Sequence, residues 1–216
     1  MYLKYHDKKR LLNEFPNIEL FYERNLHKKV HSSNIYLTIP KGLKYFAWFR
    51  NYKNQNICFF VLLNKGKNVQ DIKIFNTSFD KSLTYGTGTI VYGTIFYVNK
   101  KQFFNIEDLY YYKGYDVARY FQNQKIELLV DLFKHNIKNI NYTKNDIVFG
   151  IPLIETNYDT LIKKLPDLPY DLYCIQHRLL FKHRIYLNER IKIEKRREAV
   201  FYIKCGELDD IYDLYC

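Results

Sequence analysis

The sequence predicts an α+β fold, mainly antiparallel sheets with flanking helices, and three stretches carry that prediction. Thr89–Val98 and Phe103–Tyr112 are rich in β-branched and aromatic residues, are joined by the polar Asn99-Lys100-Lys101, and stop at Gly114. That is the signature of an antiparallel hairpin. Tyr45–Arg50 (YFAWFR) and Ile57–Leu63 (ICFFVLL) repeat the pattern across a polar turn, Asn51–Asn56. After Gly114 the period changes. Val117, Tyr120, Phe121, Ile126, Leu129, Val130 and Phe133 recur mostly three and four residues apart, which is helical spacing over Asp116–His135.

In the first hairpin Ile90, Val91, Ile95 and Phe96 stand against Phe103, Phe104, Ile106 and Leu109. Such continuous apolar character predicts a strand pair covered on both faces. Its ends are therefore candidates for function.

In chain order, Met1–Ser33 is charged and aromatic, with a short strand expected at Ile18–Tyr22 and His27, Lys28, Lys29 and His31 clustered after it. No Cys or carboxylate stands at ligand spacing beside the two histidines, so a solvated basic loop is expected there. Asn34–Thr38 leads to Pro40 and Gly42, which punctuate the approach to Tyr45–Arg50. Lys65–Asp71 reads as loop, Ile72–Phe75 as a short strand, and Asn76–Leu83 as a connection. Beyond the predicted helix, Asn136–Asn145 is an Asn/Lys loop, and Ile147–Ile154 (IVFGIPLI) is a strand-like run broken by Gly150 and Pro152. Tyr158–Lys164 reads as a short helix ended by Pro166 and Pro169. Leu172–Phe181 and Ala199–Lys204 read as late strands. Between them, Lys182–Arg197 carries seven Lys/Arg and two Glu. No repeat or linker divides the chain, so a single domain over 1–216 is expected, with 1–33 an extension packed on a 34–216 core.

At 216 residues and 47% hydrophobic the chain can bury a large core, and 18% aromatic is high. Lys+Arg outnumber Asp+Glu 34 to 23, a net +11, which argues for a polyanionic partner, nucleic acid before a membrane surface. Lys, Asn, Ile and Tyr are jointly abundant, so an AT-rich genome would account for part of that charge. Cys58, Cys174, Cys205 and Cys216 form no C-x-x-C and no zinc spacing, and read as reduced thiols. The charged opening MYLKYHDKKR predicts no signal peptide, and no apolar run nears the roughly 18 residues of a membrane span. A soluble cytoplasmic protein with no membrane partner is expected.

Motifs for chemistry are few. Gly86-Thr87-Gly88 lacks a following Gly-Lys-Ser/Thr and precedes a strand, not a helix. No G-x-S-x-G or H-E-x-x-H occurs, and no Cys-His pairing is supported by sequence spacing alone. Glu107 and Asp108 are neighbours in a strand, so alternation predicts opposite faces and a surface role for one of them. What remains is a basic, tyrosine-rich surface: Lys41, Lys44, Tyr110-Tyr111-Tyr112 with Lys113, and the segment from Lys182. Aromatic faces stack bases at about 1–3 kcal/mol each while Lys and Arg neutralise phosphates. A positively charged base such as N7-methylguanine adds a cation–π contribution. Against that stands ordinary packing of Tyr110 and Tyr112. Trp48 lies inside YFAWFR, where core packing outweighs a ligand role.

The segment order resembles the nucleotidyltransferase fold of messenger-RNA capping guanylyltransferases and nucleotide-dependent ligases, and more closely the snurportin cap-binding domain. Pro40-Lys41-Gly42-Leu43-Lys44-Tyr45 stands where Lys-x-Asp-Gly-x-Arg would be. Thr89–Thr94 followed by Phe103–Gly114 stands where the Asp-Gly-Glu strand and its aromatic successor would be. Phe201–Lys204, trailed by Asp209–Tyr212, stands where the last lysine-containing strand would be. The departures remove the chemistry. Ile39 holds the nucleophilic lysine position, Lys41 the aspartate, and Tyr92 and Thr94 the acidic pair, so neither amine attack nor metal placement is supplied. No stretch is expected to supply the small barrel domain that capping enzymes close on nucleotide.

The resemblance therefore implies a binder, not an enzyme, with no cofactor and no metal. Its Trp-Arg-Gly-like position is Tyr112-Lys113-Gly114, which makes Tyr112 the expected stacking platform at a cleft mouth. Lys41 and Lys44 are expected on the phosphates, with Lys204 assisting and Arg196 and Arg197 adding charge. The expected ligand is capped RNA or a nucleotide. Alternatives are a partner-dependent pseudo-enzyme subunit of an RNA-processing or translation complex, and a general single-stranded RNA binder. A large DNA virus of the host cytoplasm would fit the thiols and composition, though neither shows a viral origin.

Overall fold

The computed structural model describes residues 3–26, 32–63, 69–140, 143, 145–183, 185–191, 202–205 and 212–215. Helix α1 (Tyr5–Glu14) and the short β1 (Glu23–Asn25) precede β2 (Ile35–Pro40), β3 (Leu43–Tyr52), β4 (Gln55–Leu63), β5 (Val69–Ile74) and β6 (Ser78–Phe79). The central hairpin is β7 (Thr89–Val98) and β8 (Lys101–Tyr112), followed by β9 (Tyr115–Asp116) and α2 (Gln122–Asp131). Then come β10 (Ile137–Lys138), β11 (Ile147–Gly150), β12 (Ile154–Glu155), α3 (Tyr158–Lys164), β13 (Leu172–Arg178) and β14 (Tyr186–Glu189). Last are β15 (Tyr202–Cys205) and β16 (Tyr212–Tyr215), which pair with each other. The fold is thus α+β and mostly antiparallel, with three α-helices among the described residues.

The larger sheet runs β11-β8-β7-β3-β4-β5, with β9 also on β8; the smaller runs β1-β14-β13-β2-β12. Only β1–β14 and β11–β8 are parallel among the named ladders. Three hairpins turn through two residues of positive φ: Lys53-Asn54, Asn99-Lys100 and Lys113-Gly114. That backbone matches the right-handed strand twist. Lys101, expected in the turn, already pairs with Val98.

The central hairpin is covered on both faces, as its composition requires. One face puts Val91, Phe104, Leu109 and Tyr112 against Leu129 of α2 and Leu132 just after it. The other puts Phe46, Trp48, Ile90 and Tyr110 against Leu3 and Leu11. Trp48 is fully buried and its indole donates to the Thr87 carbonyl at 2.8 Å, so its role is packing.

Several expectations are corrected. Ile18–Tyr22 is not a strand; β1 lies just after it. Helix α1 was not foreseen, because half of its residues are charged and Leu11 and Leu12 alone give no helical repeat of apolar positions. It forms on Leu11 as its apolar anchor, with Asp7 accepting from the Lys4 N–H and an Arg10–Glu14 pair one turn apart. Asp116 ends β9 and 117–121 is not helical, so α2 starts later than its spacing suggested. The run IVFGIPLI is two strands in two sheets. Gly150 and Pro152 mark the passage from β11, beside β8, to β12, beside β2.

Candidate functional site

The outer edge of β8 is the feature that builds the site. β11 pairs with it over Gln102–Asn105 and β9 over Tyr111 and Tyr112, leaving Ile106–Tyr110 without a neighbouring strand. Within that gap the β7–β8 register shifts twice, leaving Glu107 and Tyr110 as extra residues on β8. A bulge aims consecutive side chains where alternation would not.

Glu107 and Asp108 accordingly do not divide between core and surface. Both are buried. Glu107 accepts from Lys44 at 2.5 Å and from the Thr94 hydroxyl; Asp108 accepts from Lys125 at 2.7 Å and Tyr186 at 3.0 Å. The Lys44 ammonium stands over the Tyr92 ring and that of Lys125 over the Tyr110 ring, and both rings pack on Phe46. The two carboxylates therefore serve one face. Burial pushes the Lys125 ammonium below its ordinary pKa, against the pull of Asp108.

Arg178, the last residue of β13, bridges from the smaller sheet into this gap. Its Nη1 donates to the Glu107 carbonyl at 2.7 Å and to Gln122 Oε1 at 3.2 Å, its Nε donates to Gln176 Oε1 at 2.8 Å, and its guanidinium lies 4.0 Å from the Tyr186 ring centre. Every acceptor is neutral. Arg178 is 4% exposed, yet among the described residues no carboxylate stands within ion-pair distance of it. Lys44, Lys125 and Arg178 here face Glu107, Asp108 and Glu23, which lines the same small recess, so the charges of the cluster balance while Arg178 itself has no direct carboxylate partner among the described residues.

Beside Arg178 opens a cavity of about 550 Å³ between the sheets. Ile126, Leu129 and Phe133 of the α2 region form one wall, and Ile35, Leu37 and Phe149 another. Polar groups are few and convergent: Arg178, Gln122 and Glu107 inside, Lys134 and Asn139 towards solvent. Mostly apolar walls with a few placed polar groups, at this volume, are the usual make-up of a small-ligand site.

The residues expected from the sequence fall in different places. Tyr112 does not reach a cleft mouth. It is 8% exposed within the core, and its hydroxyl donates to Asp131 and, at 3.0 Å, to Asn136. Burial and Asp131 push its hydroxyl pKa up. Lys113 lies over the Tyr112 ring and 3.3 Å from Asp131, so its charge is engaged. Lys44 is committed to Glu107. Lys41 is exposed in the β2–β3 turn, where its N–H donates to the Asp171 carbonyl at 2.7 Å. Gly42 follows because a Cβ there would stand 2.1 Å from the Ile95 carbonyl oxygen. Ile39 is buried on the smaller sheet. Lys204 pairs with Asp213 in the β15–β16 ladder, a two-stranded sheet that shares no strand with the other sheets. Arg196, Arg197, His27 and His31 lie outside the described residues.

Arg178 was missed, although an arginine closing LYCIQHR, a run otherwise fit for a core strand, was the available signal. Among the described residues no group of three His, Cys, Asp or Glu is placed to hold a metal, and no helix is long and apolar enough to cross a membrane. Cys58 and Cys174 are buried free thiols; burial pushes Cys174 up to about 12. The chain matches no known family model, and no curated protein matches it significantly.

Proposed function

We propose that the chain is a non-catalytic nucleotide-binding protein of the nucleotidyltransferase type, and that its ligand is the 5′ cap of an RNA held between the two sheets. The observation that carries this reading is Arg178, a buried guanidinium without a carboxylate partner, facing a cavity with apolar walls. A buried cation is costly unless compensated, and an anionic ligand entering that cavity compensates it. Phosphate oxygens match the guanidinium geometry, while a flat base suits the walls of Ile126, Leu129, Phe133 and Phe149. Glu107 supplies a carboxylate edge of the kind that accepts from guanine N–H groups. The buried Ile39 supports binding without a covalent adduct, since the resembling enzymes carry their nucleophile there. The snurportin-like pattern and the chain's net charge of +11 favour capped RNA over a free nucleotide.

The test is an equilibrium titration with N7-methylated cap analogue, unmethylated GTP and uncapped RNA side by side. Preference for the methylated analogue is expected, lost in Val130→Asp, a substitution at an exposed residue of the cavity rim. Equal affinity for all three would instead favour general RNA binding through the basic segment from Lys182. Incubation with labelled GTP and Mg²⁺ should leave no label on the protein; a lysine-linked adduct would overturn the non-catalytic reading.

A further inference from the structure

At the other end of the unpaired β8 edge lies a second, smaller cavity of about 190 Å³. Phe96 and Phe103 face each other across the β7–β8 hairpin, rings stacked with centres 5.5 Å apart. Tyr170 meets Phe96 edge-on at 5.0 Å and is held by its hydroxyl, 2.6 Å from that of Thr38. Asn105 lines this cavity and is 3% exposed, and its Nδ2 has no hydrogen-bond partner among the described residues. A buried amide donor left unpaired is rare and asks for a reason. Packing does not give one, since an apolar residue of similar size would fill the place at no such cost.

Two further observations point outward from that amide. Gly150, beside Asn105 on β11, borders the cavity, and a Cβ built on it would meet nothing within 4 Å. The space next to the amide is thus left open without the backbone requiring glycine. The turns on either side carry Lys41, Lys100 and Lys101, all exposed and none ion-paired among the described residues. Their placement follows from register: Leu43 stands opposite Ile95, and Lys101 opposite Val98 of the cavity wall.

We propose that this cavity binds one nucleobase, with the ring against Phe96, Phe103 and Tyr170. The base edge hydrogen-bonds the Asn105 side-chain amide, and the attached phosphate stays outside among Lys41, Lys100 and Lys101. The volume is below the roughly 300 Å³ at which drug-sized ligand sites begin, so it suits a single ring system and not a whole cap. Asn amides read base edges through paired donors and acceptors, and aromatic walls stack any base. The inference stands on this cavity alone and does not need the larger one to hold a cap.

The experiment is a titration of the full chain with the four nucleoside 5′-monophosphates, the matching nucleosides and a tetranucleotide. Wild type is compared with Asn105→Leu, with the charge reversal Lys41→Glu/Lys100→Glu, and with Val130→Asp at the larger cavity. Binding of at least one monophosphate is expected, weakened about tenfold by Asn105→Leu, the scale of one lost hydrogen bond, and unchanged by Val130→Asp. The charge reversal lies on exposed turns and leaves the fold intact; it should abolish the preference for monophosphate over nucleoside. A tetranucleotide that binds tighter than the monophosphate, with the same loss in Asn105→Leu, makes the source an RNA strand; equal binding makes it a free nucleotide. Binding lost in Val130→Asp but untouched by Asn105→Leu, or no binding of any probe, overturns the proposal.

Discussion

At the C-terminal end of β8, Tyr110 and Tyr112 are buried and the Tyr112 hydroxyl has two acceptors, Asp131 and Asn136. At its N-terminal end, Phe103 is half-buried beside a cavity, and the buried amide of Asn105 lacks a partner for Nδ2. One strand thus has a closed aromatic end and an open one. A satisfied tyrosine in a packed cluster is architecture, however well its type suits base stacking. An unsatisfied polar group beside aromatic rings and empty space is where a ligand completes the structure.

The largest expected effect lies at the closed end. Tyr112→Ala should destabilise the fold by about 3–5 kcal/mol, the range for emptying a buried aromatic site, measured by urea denaturation. A loss under 1 kcal/mol would mean that this end is not closed. Next in size, Tyr112→Phe keeps the ring but leaves the Asn136 acceptor and Asp131 without the hydroxyl, for an expected cost of about 1–2 kcal/mol.

The same variant tests the acid limb of stability. The Tyr112 hydroxyl, then His135 and Lys113, hold the Asp131 carboxyl down at about 2, from an ordinary 3.8. The unfolded chain therefore takes up that proton at higher pH than the folded one. The stabilisation is complete above about pH 4 and is lost as pH falls towards 2. Thermal melts across that range should fall more gently in Tyr112→Phe than in wild type, and parallel curves would dissociate Tyr112 from Asp131. The smallest effect belongs to the open end. Asn105→Leu should change stability by no more than about 0.5 kcal/mol in the destabilising direction, since it removes an unpaired buried donor. A loss of several kcal/mol would make Asn105 a structural residue.

Much of the fold was legible. Both large hairpins and α3 declare themselves, because β-branched and aromatic runs and the Asn-capped Tyr158–Lys164 respond to local chemistry that tertiary contacts do not override. Among the elements that escaped, α1 and β14 sit in charged stretches where one or two buried residues suffice to anchor them, and β6 and β10 are two-residue strands inside stretches that read as loop. The site was legible only in class. Alternation placed Glu107 and Asp108 on opposite faces, and the bulge that brings them together leaves no trace in residue types. Tyr112 looked free because a strand end beside glycine looks exposed, whereas Asp131 and Asn136 reach it only once α2 has folded back. Asn105 was not singled out, although an amide interrupting the run KQFFNIEDLYYY was a clue available in the sequence.

The two sheets differ in the order in which a growing chain can make them. Residues 43–116 lay down two local runs of the larger sheet, β3-β4-β5 and then β7-β8-β9, with β7 returning to pair on the free side of β3. The smaller sheet draws β1, β2, β12, β13 and β14 from the span 23–189, and Glu23 must wait for Tyr186 before β1 has a neighbour. Pairings that distant are slow to form and leave their strands uncovered meanwhile. During synthesis these two runs therefore mature first, with the Ile106–Tyr110 edge bare until Arg178 arrives to cap the Glu107 carbonyl. Until then β2 lacks its long partner β13, so β2 and the Ile106–Tyr110 edge stay uncovered over the interval between residues 112 and 178 leaving the ribosome.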